Sequence, residues 1–158
     1  MPASYPGSVK SFTTKVNGVD APDAEHINDL QLEVAAVETE LLNGWTDYSN
    51  TSTVTGWSSF TTKQIYYKAI GKLVFVEFNI DGTSNANSAQ FTLPFNRSGI
   101  SEIRLLSAVV MDNGAYQSAP GAIRLTANLV RVYLNGLLTV FTASGRKIVQ
   151  GQFFFVKS

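Results

Sequence analysis

The chain has 158 residues, with 12 lysines and arginines balanced by 12 aspartates and glutamates, so its formal net charge is zero. That length suits one compact domain with an appendage, and the balance excludes a dominant electrostatic pull towards nucleic acid or anionic lipid. Cysteine is absent, which excludes disulfides, thiolate metal sites and a cysteine nucleophile.

Residues 1–22 carry Pro2, Pro6, Gly7, Gly18 and Pro22 among serines and threonines. Proline removes backbone donors and resists helix, so the segment is expected to be an extended arm. Tyr5, Val9, Phe12 and Val16 are too few to form a core alone and are the residues by which such an arm would dock. The opening MPASYPGSVK lacks the apolar core of a signal peptide, and no apolar run reaches membrane-spanning length. The expectation is a product made in a cytoplasm, with no membrane partner.

A helix is expected over 23–44. Asp20-Ala21-Pro22-Asp23 places proline and acids at its entry, where the helix dipole favours negative charge, and Asn43-Gly44 marks its exit. Ile27, Leu30, Val34, Val37 and Leu41 recur at intervals of three and four, which keeps them on one stripe. Such a stripe is the seam of a short coiled coil. Valine in place of leucine at the d position Val37 leans towards three strands rather than two. Six acids and no base lie between Asp23 and Glu40, whereas 45–158 holds ten basic and five acidic residues, so an acidic stalk and a mildly basic head are distinct units.

From Trp45 the apolar period changes to two. In Leu73–Ile80, residues Val74, Val76, Phe78 and Ile80 alternate with Glu77 and Asn79, the pattern of a half-buried strand. Gln64–Ile70 precedes it across a Gly71-Lys72 turn, which predicts a hairpin. Further strands are expected at Phe91–Leu93, Ile103–Met111, Ala122–Thr126, Leu129–Leu134, Leu137–Phe141 and Ile148–Val156. Turn signals stand at Asp81-Gly82, Asn113-Gly114, Asn135-Gly136 and Ser144-Gly145, and Asp81–Ser88 reads as the longest polar loop. Many short strands without intervening helices predict a mainly β fold with an antiparallel, jelly-roll-like β-sandwich head over 45–158.

The chemistry-bearing residues are sparse. His26 is the single histidine and flanks the seam, and no Gly-x-Ser-x-Gly elbow is present, so a His-dependent triad is not expected. The acids of the head, Asp47, Glu77, Asp81, Glu102 and Asp112, each have a structural reading on an outward strand face or in a turn. No catalytic residue, metal ligand or cofactor is expected. Arg97, Arg104, Arg124, Arg131, Arg146 and Lys147 are read as solvated strand faces, too diffuse for nucleic acid. Trp57, Asn85, Asn87 and Tyr116 are the candidates for glycan or partner contact, with Trp45, Tyr66 and Tyr67 as further aromatic surface. Phe153-Phe154-Phe155 puts aromatic groups on both strand faces, which predicts a second covered face at a subunit contact.

Tyr5-Pro6-Gly7, Ser11 to Asp20, Ala24 to Gln31 and Glu33 to Leu41 resemble the amino-terminal attachment region of tailed-bacteriophage virion fibres and decoration proteins. Thr55-Gly56-Trp57-Ser58-Ser59, Tyr67 to Lys72 and Phe91 to Phe95 are similar to phage fibre heads. The resemblance implies a non-enzymatic homotrimer in the virion, its arm gripping a major capsid protein or another virion protein and its head projecting. The absence of a long shaft favours a short head fibre or capsid decoration protein. The alternative is a tail fibre whose head binds host surface carbohydrate.

Overall fold

The structure is a computed structural model and describes residues 24–99 and 102–158. The chain divides into two compact units at the junction of Gly44 and Trp45.

In the first unit, helix α1 spans Ala24–Leu42. Its end is closed by the Asn43 amide, which donates to the Thr39 carbonyl at 2.9 Å, and Gly44 follows. Along its stripe, Ile27, Leu30, Val34 and Leu41 are each 50–56% exposed, and Val37 is half-buried. Asp29 is a buried residue of this helix.

The second unit is built from strands β1 (Thr46–Asp47), β2 (Val54–Thr55), β3 (Trp57–Ile70), β4 (Leu73–Ser84), β5 (Gln90–Thr92), β6 (Ile103–Asp112), β7 (Ala115–Tyr116), β8 (Gly121–Thr126), β9 (Leu129–Tyr133) and β10 (Arg146–Val156). All pairings are antiparallel, and the strand order is β1-β3-β4-β10-β6-β8-β9-β5-β2, with β7 on β6. This is one continuous sheet curled into a half-barrel. A single strand, β6, turns the corner. Its first half pairs with β8, its Val109–Met111 stretch pairs with β10, and a register shift between Leu106 and Ala108 marks the bend. A bulge of this kind kinks and twists a strand, which lets it serve both halves.

The alternation expected in β4 is observed: Val74, Val76, Phe78 and Ile80 are buried and Glu77 is exposed. Gly71, with φ +57°, takes the first turn position of the β3–β4 hairpin, as a type II′ turn requires. Asn113 and Gly114 both have positive φ between the paired Asp112 and Ala115, the type I′ arrangement. The core lies inside the curl. Phe78 of β4 meets Phe91 of β5 with ring centroids 5.0 Å apart, so side chains from the two arms of the sheet meet in one core. Gly151 leaves room for the same Phe78 ring, whose Cζ lies 3.0 Å from where a Cβ would stand.

Three sequence readings are corrected. Asp81-Gly82 is not a turn: β4 runs on to Ser84, because Arg146 of β10 pairs with Asp81 through two hydrogen bonds of 3.0 and 2.7 Å and holds the strand in the ladder. Leu137–Phe141 is not a strand. The Asn135 carboxamide accepts from the Leu137 amide at 3.0 Å and from the Thr139 hydroxyl at 3.0 Å, and this local side-chain bonding outcompetes a ladder. The third concerns Lys147, described below.

Candidate functional site

Three connecting segments meet at one end of the curled sheet. After β4, the Ser84 amide donates to the Gly145 carbonyl at 2.8 Å and the Ser84 hydroxyl to the Thr142 carbonyl at 2.7 Å. The Phe141 amide reaches the Asn87 carbonyl at 3.2 Å. On the other side, Asp112 Oδ1 accepts from the amide and hydroxyl of Thr142, both at 2.9 Å, and the Gly114 amide donates to the Arg146 carbonyl at 3.0 Å. Residues 84–88, 112–116 and 141–146 therefore form one connected rim.

Beneath that rim sits Lys147, with 0% of its surface exposed. Its ammonium donates to three backbone carbonyls, Gly56 at 3.0 Å, Ala86 at 2.7 Å and Ser88 at 2.8 Å. It also lies 5.0 Å from the centre of the Trp57 ring and 5.1 Å from that of Phe141. Aromatic faces and carbonyl oxygens both present negative charge, which is what a desolvated cation needs. Burial pushes the ammonium down to about 8, and the charge of Asp112 acts in the opposite direction. Gly56 permits the arrangement: its φ is +108°, and a Cβ there would stand 1.9 Å from the Ser88 carbonyl oxygen. The lysine read as a solvated residue is thus the internal clamp of the rim. The signal was present in the period of β10, since stepping back by two from Phe155 through Phe153, Gly151 and Val149 lands on Lys147.

The candidate contact residues separate. Trp57 is 6% exposed and its Nε1 donates to the Lys147 carbonyl at 3.2 Å, so it is a core residue and offers no face to a sugar. Asn85 and Asn87 are exposed on the rim, and Tyr116, on β7, is 62% exposed. These three are brought to the same end of the sheet, whereas Trp57 lies below it. Tyr5, Val9, Phe12 and Val16 lie outside the described residues.

Among the concavities of the described residues, two lie beside residues singled out above. One, of about 280 Å³, is lined by Asn87, Ser88, Gln90, Arg131, Tyr133 and Val140 among others. The other, of about 790 Å³, is apolar and lined by Trp45, Phe75, Leu105, Leu106 and Phe154 among others. The Phe153-Phe154-Phe155 run divides as its period requires: Phe153 and Phe155 enter the core, and Phe154 faces outward, 62% exposed. Among the described residues no group of His, Asp and Glu could hold a metal ion, and no helix is long and apolar enough to cross a membrane. Comparison with protein-family models and with curated proteins finds no match.

Proposed function

We propose that this chain is a non-enzymatic structural protein of a bacteriophage particle, a homotrimeric head fibre or capsid decoration protein. In this reading residues 1–22 dock on a capsid or other virion protein, α1 forms a three-stranded bundle, and the head projects as a jelly-roll-like β-sandwich. The observation that carries it is the half-exposed stripe of Ile27, Leu30, Val34 and Leu41 on a helix that belongs to a unit separate from the head. An isolated helix of this length is marginal in water, and apolar residues so arranged gain stability when another helix covers them. The exposed Phe154, Leu106 and Val109 on the outer face of β10 and β6 give a second surface suited to self-association.

Mechanistically, three arms on one bundle engage a symmetric mount together, so that weak individual contacts combine through effective concentration. The test is deletion of residues 1–20, followed by sedimentation of the protein with particles that lack it. The truncated protein is expected to keep a folded head and to lose particle association. Undiminished association of a folded truncated protein would overturn the docking role of the arm.

A second reading, a tail fibre that recognises host surface glycans, draws on the rim. There Asn85, Asn87 and Tyr116 are exposed together above the Lys147 clamp. Rigidly held loops carrying amides and an aromatic ring suit carbohydrate.

A further inference from the structure

The outer face of the β6-β8-β9-β5 arm carries a row of residues that neither reading uses. The register sets Arg104 opposite Arg124, Arg124 opposite Arg131, and Arg131 opposite Gln90. Four adjacent strands thus hold three guanidinium groups and an amide in one line, at the roughly 4.8 Å separation of neighbouring strands. Like charges directly opposite one another destabilise a sheet. A single carboxylate offsets them: Glu102 accepts from Arg104 Nε at 2.6 Å and from Arg124 Nε at 2.7 Å. These two guanidinium groups hold the Glu102 carboxyl below the usual carboxylate range, Arg104 most of all. Arg131, at the far end, donates instead to the neutral Gln90 Oε1 at 3.0 Å. The row keeps a positive excess, three guanidinium groups to one carboxylate, and Arg104 and Arg131 are exposed while Arg124 is half-buried.

Its Arg131 end opens into the smaller concavity, where Arg131 and Tyr133 stand beside Asn87, Ser88 and Gln90. A guanidinium fork matches a carboxylate in two parallel hydrogen bonds. An aromatic ring with amide and hydroxyl neighbours matches the apolar face and the hydroxyls of a sugar. A single-stranded nucleic acid would instead call for successive aromatic platforms along the row, and Tyr133 is the one aromatic residue among those that line this concavity.

We infer that this row and its end pocket bind a carboxylated oligosaccharide, one sugar ring resting in the Tyr133 pocket and successive carboxylates meeting Arg131, Arg124 and Arg104. The site belongs to the head alone. It is separate from Tyr116, and it does not depend on whether the chain is mounted on a capsid or a tail.

The test is calorimetric titration of the full chain with oligogalacturonate and with oligosialic acid. The methyl ester of the first and a single-stranded oligonucleotide of matched charge serve as comparisons. At least one acid sugar is expected to bind, more weakly as salt rises, while the uncharged ester does not. Arg131→Gln and Arg104→Gln are each expected to weaken binding about tenfold or more, the loss of a charge-assisted hydrogen bond. Glu102→Gln is expected to tighten it by removing the competing carboxylate, and Tyr116→Ala to leave it unchanged. Urea midpoints confirm that each variant is folded. The proposal is overturned if neither acid sugar binds, if the ester binds equally, if the oligonucleotide binds more tightly, or if folded Arg131→Gln binds as the parent does. None of these results bears on trimer formation, which is read from mass.

Discussion

A lysine ammonium enclosed by three carbonyl oxygens and two aromatic rings has no carboxylate among its hydrogen-bond partners, and these contacts offset only part of the cost of taking the charge out of water. Only an ammonium can donate to all three carbonyls at once; a neutral amine has two hydrogens. Replacing it with methionine would keep the volume and leave the Gly56, Ala86 and Ser88 carbonyls without this donor. Lys147→Met is therefore expected to lower the stability of the head by about 2–4 kcal/mol, read from urea denaturation. It should also raise amide hydrogen exchange over residues 84–88. The pH dependence has a defined sign. The folded value of about 8 lies below the ordinary 10.5, so between these the unfolded chain holds more protons and stability rises with pH. From about pH 7.5 to about pH 9.5, the parent should gain on the order of 1 kcal/mol relative to Lys147→Met, since the difference cancels the other titrating groups. Equal pH profiles for the two proteins would mean that Lys147 titrates as an ordinary lysine. Trp57 makes the complementary point. A tryptophan between Gly56 and Ser58 reads as surface aromatic, yet the clamp below the rim needs a ring to cover the cation, and Trp57 fills that place.

At the scale of elements, α1 and β10 show opposite relations between pattern and role. The stripe of α1 follows from spacing alone, and its exit from Asn43-Gly44. Its half-exposed residues give a direct test. Val34→Asp places a charge in the middle of the proposed seam, where burying it unpaired costs several kcal/mol. Light scattering on the parent is expected to give three times the chain mass and on the variant the mass of one chain, with the β-sheet circular dichroism unchanged. A parent that runs as a monomer would remove the bundle. In β10, the period of two identifies Phe153 and Phe155 as inward and Phe154 as outward. Its neighbours are another matter. It lies between β4, with which it pairs from Arg146↔Thr83 to Val156↔Leu73, and β6, and nothing near residues 146–156 specifies either. The segment 137–141 failed as a strand for a local reason: Asn135 gathers the amides of Leu137 and Thr139 onto its own side chain, and Leu138 takes a left-handed φ of +60°.

For the whole molecule, the division at Gly44 and Trp45 separates the unit whose apolar stripe is half-exposed from the unit that encloses its own core. The fragment 45–158 is therefore expected to fold alone, unfolding in one cooperative urea transition and running at monomer mass, where the full chain is expected to run as the proposed trimer. Loss of the cooperative transition would show that the head depends on residues before Trp45. Because β10 sits in the middle of the sheet, closing the sheet requires residues 146–156, and the long-range pairing predicts a slow refolding phase relative to helical proteins of similar size.

The sequence by itself determined the β character of the head, the inward face of β4, the glycine turns at Gly71 and Asn113-Gly114, the exit of α1 and the segregation of acidic and basic charge. Each of these is set within a few residues by side-chain period, by positive φ or by composition. Only the tertiary structure decided that β10 lies between β4 and β6, that Lys147 meets carbonyls from residues 56, 86 and 88, and that Arg104, Arg124 and Arg131 stand in one row. Those arrangements come from strand register and from closure of the sheet, which join residues far apart in the chain and leave no mark in the local pattern of any one of them.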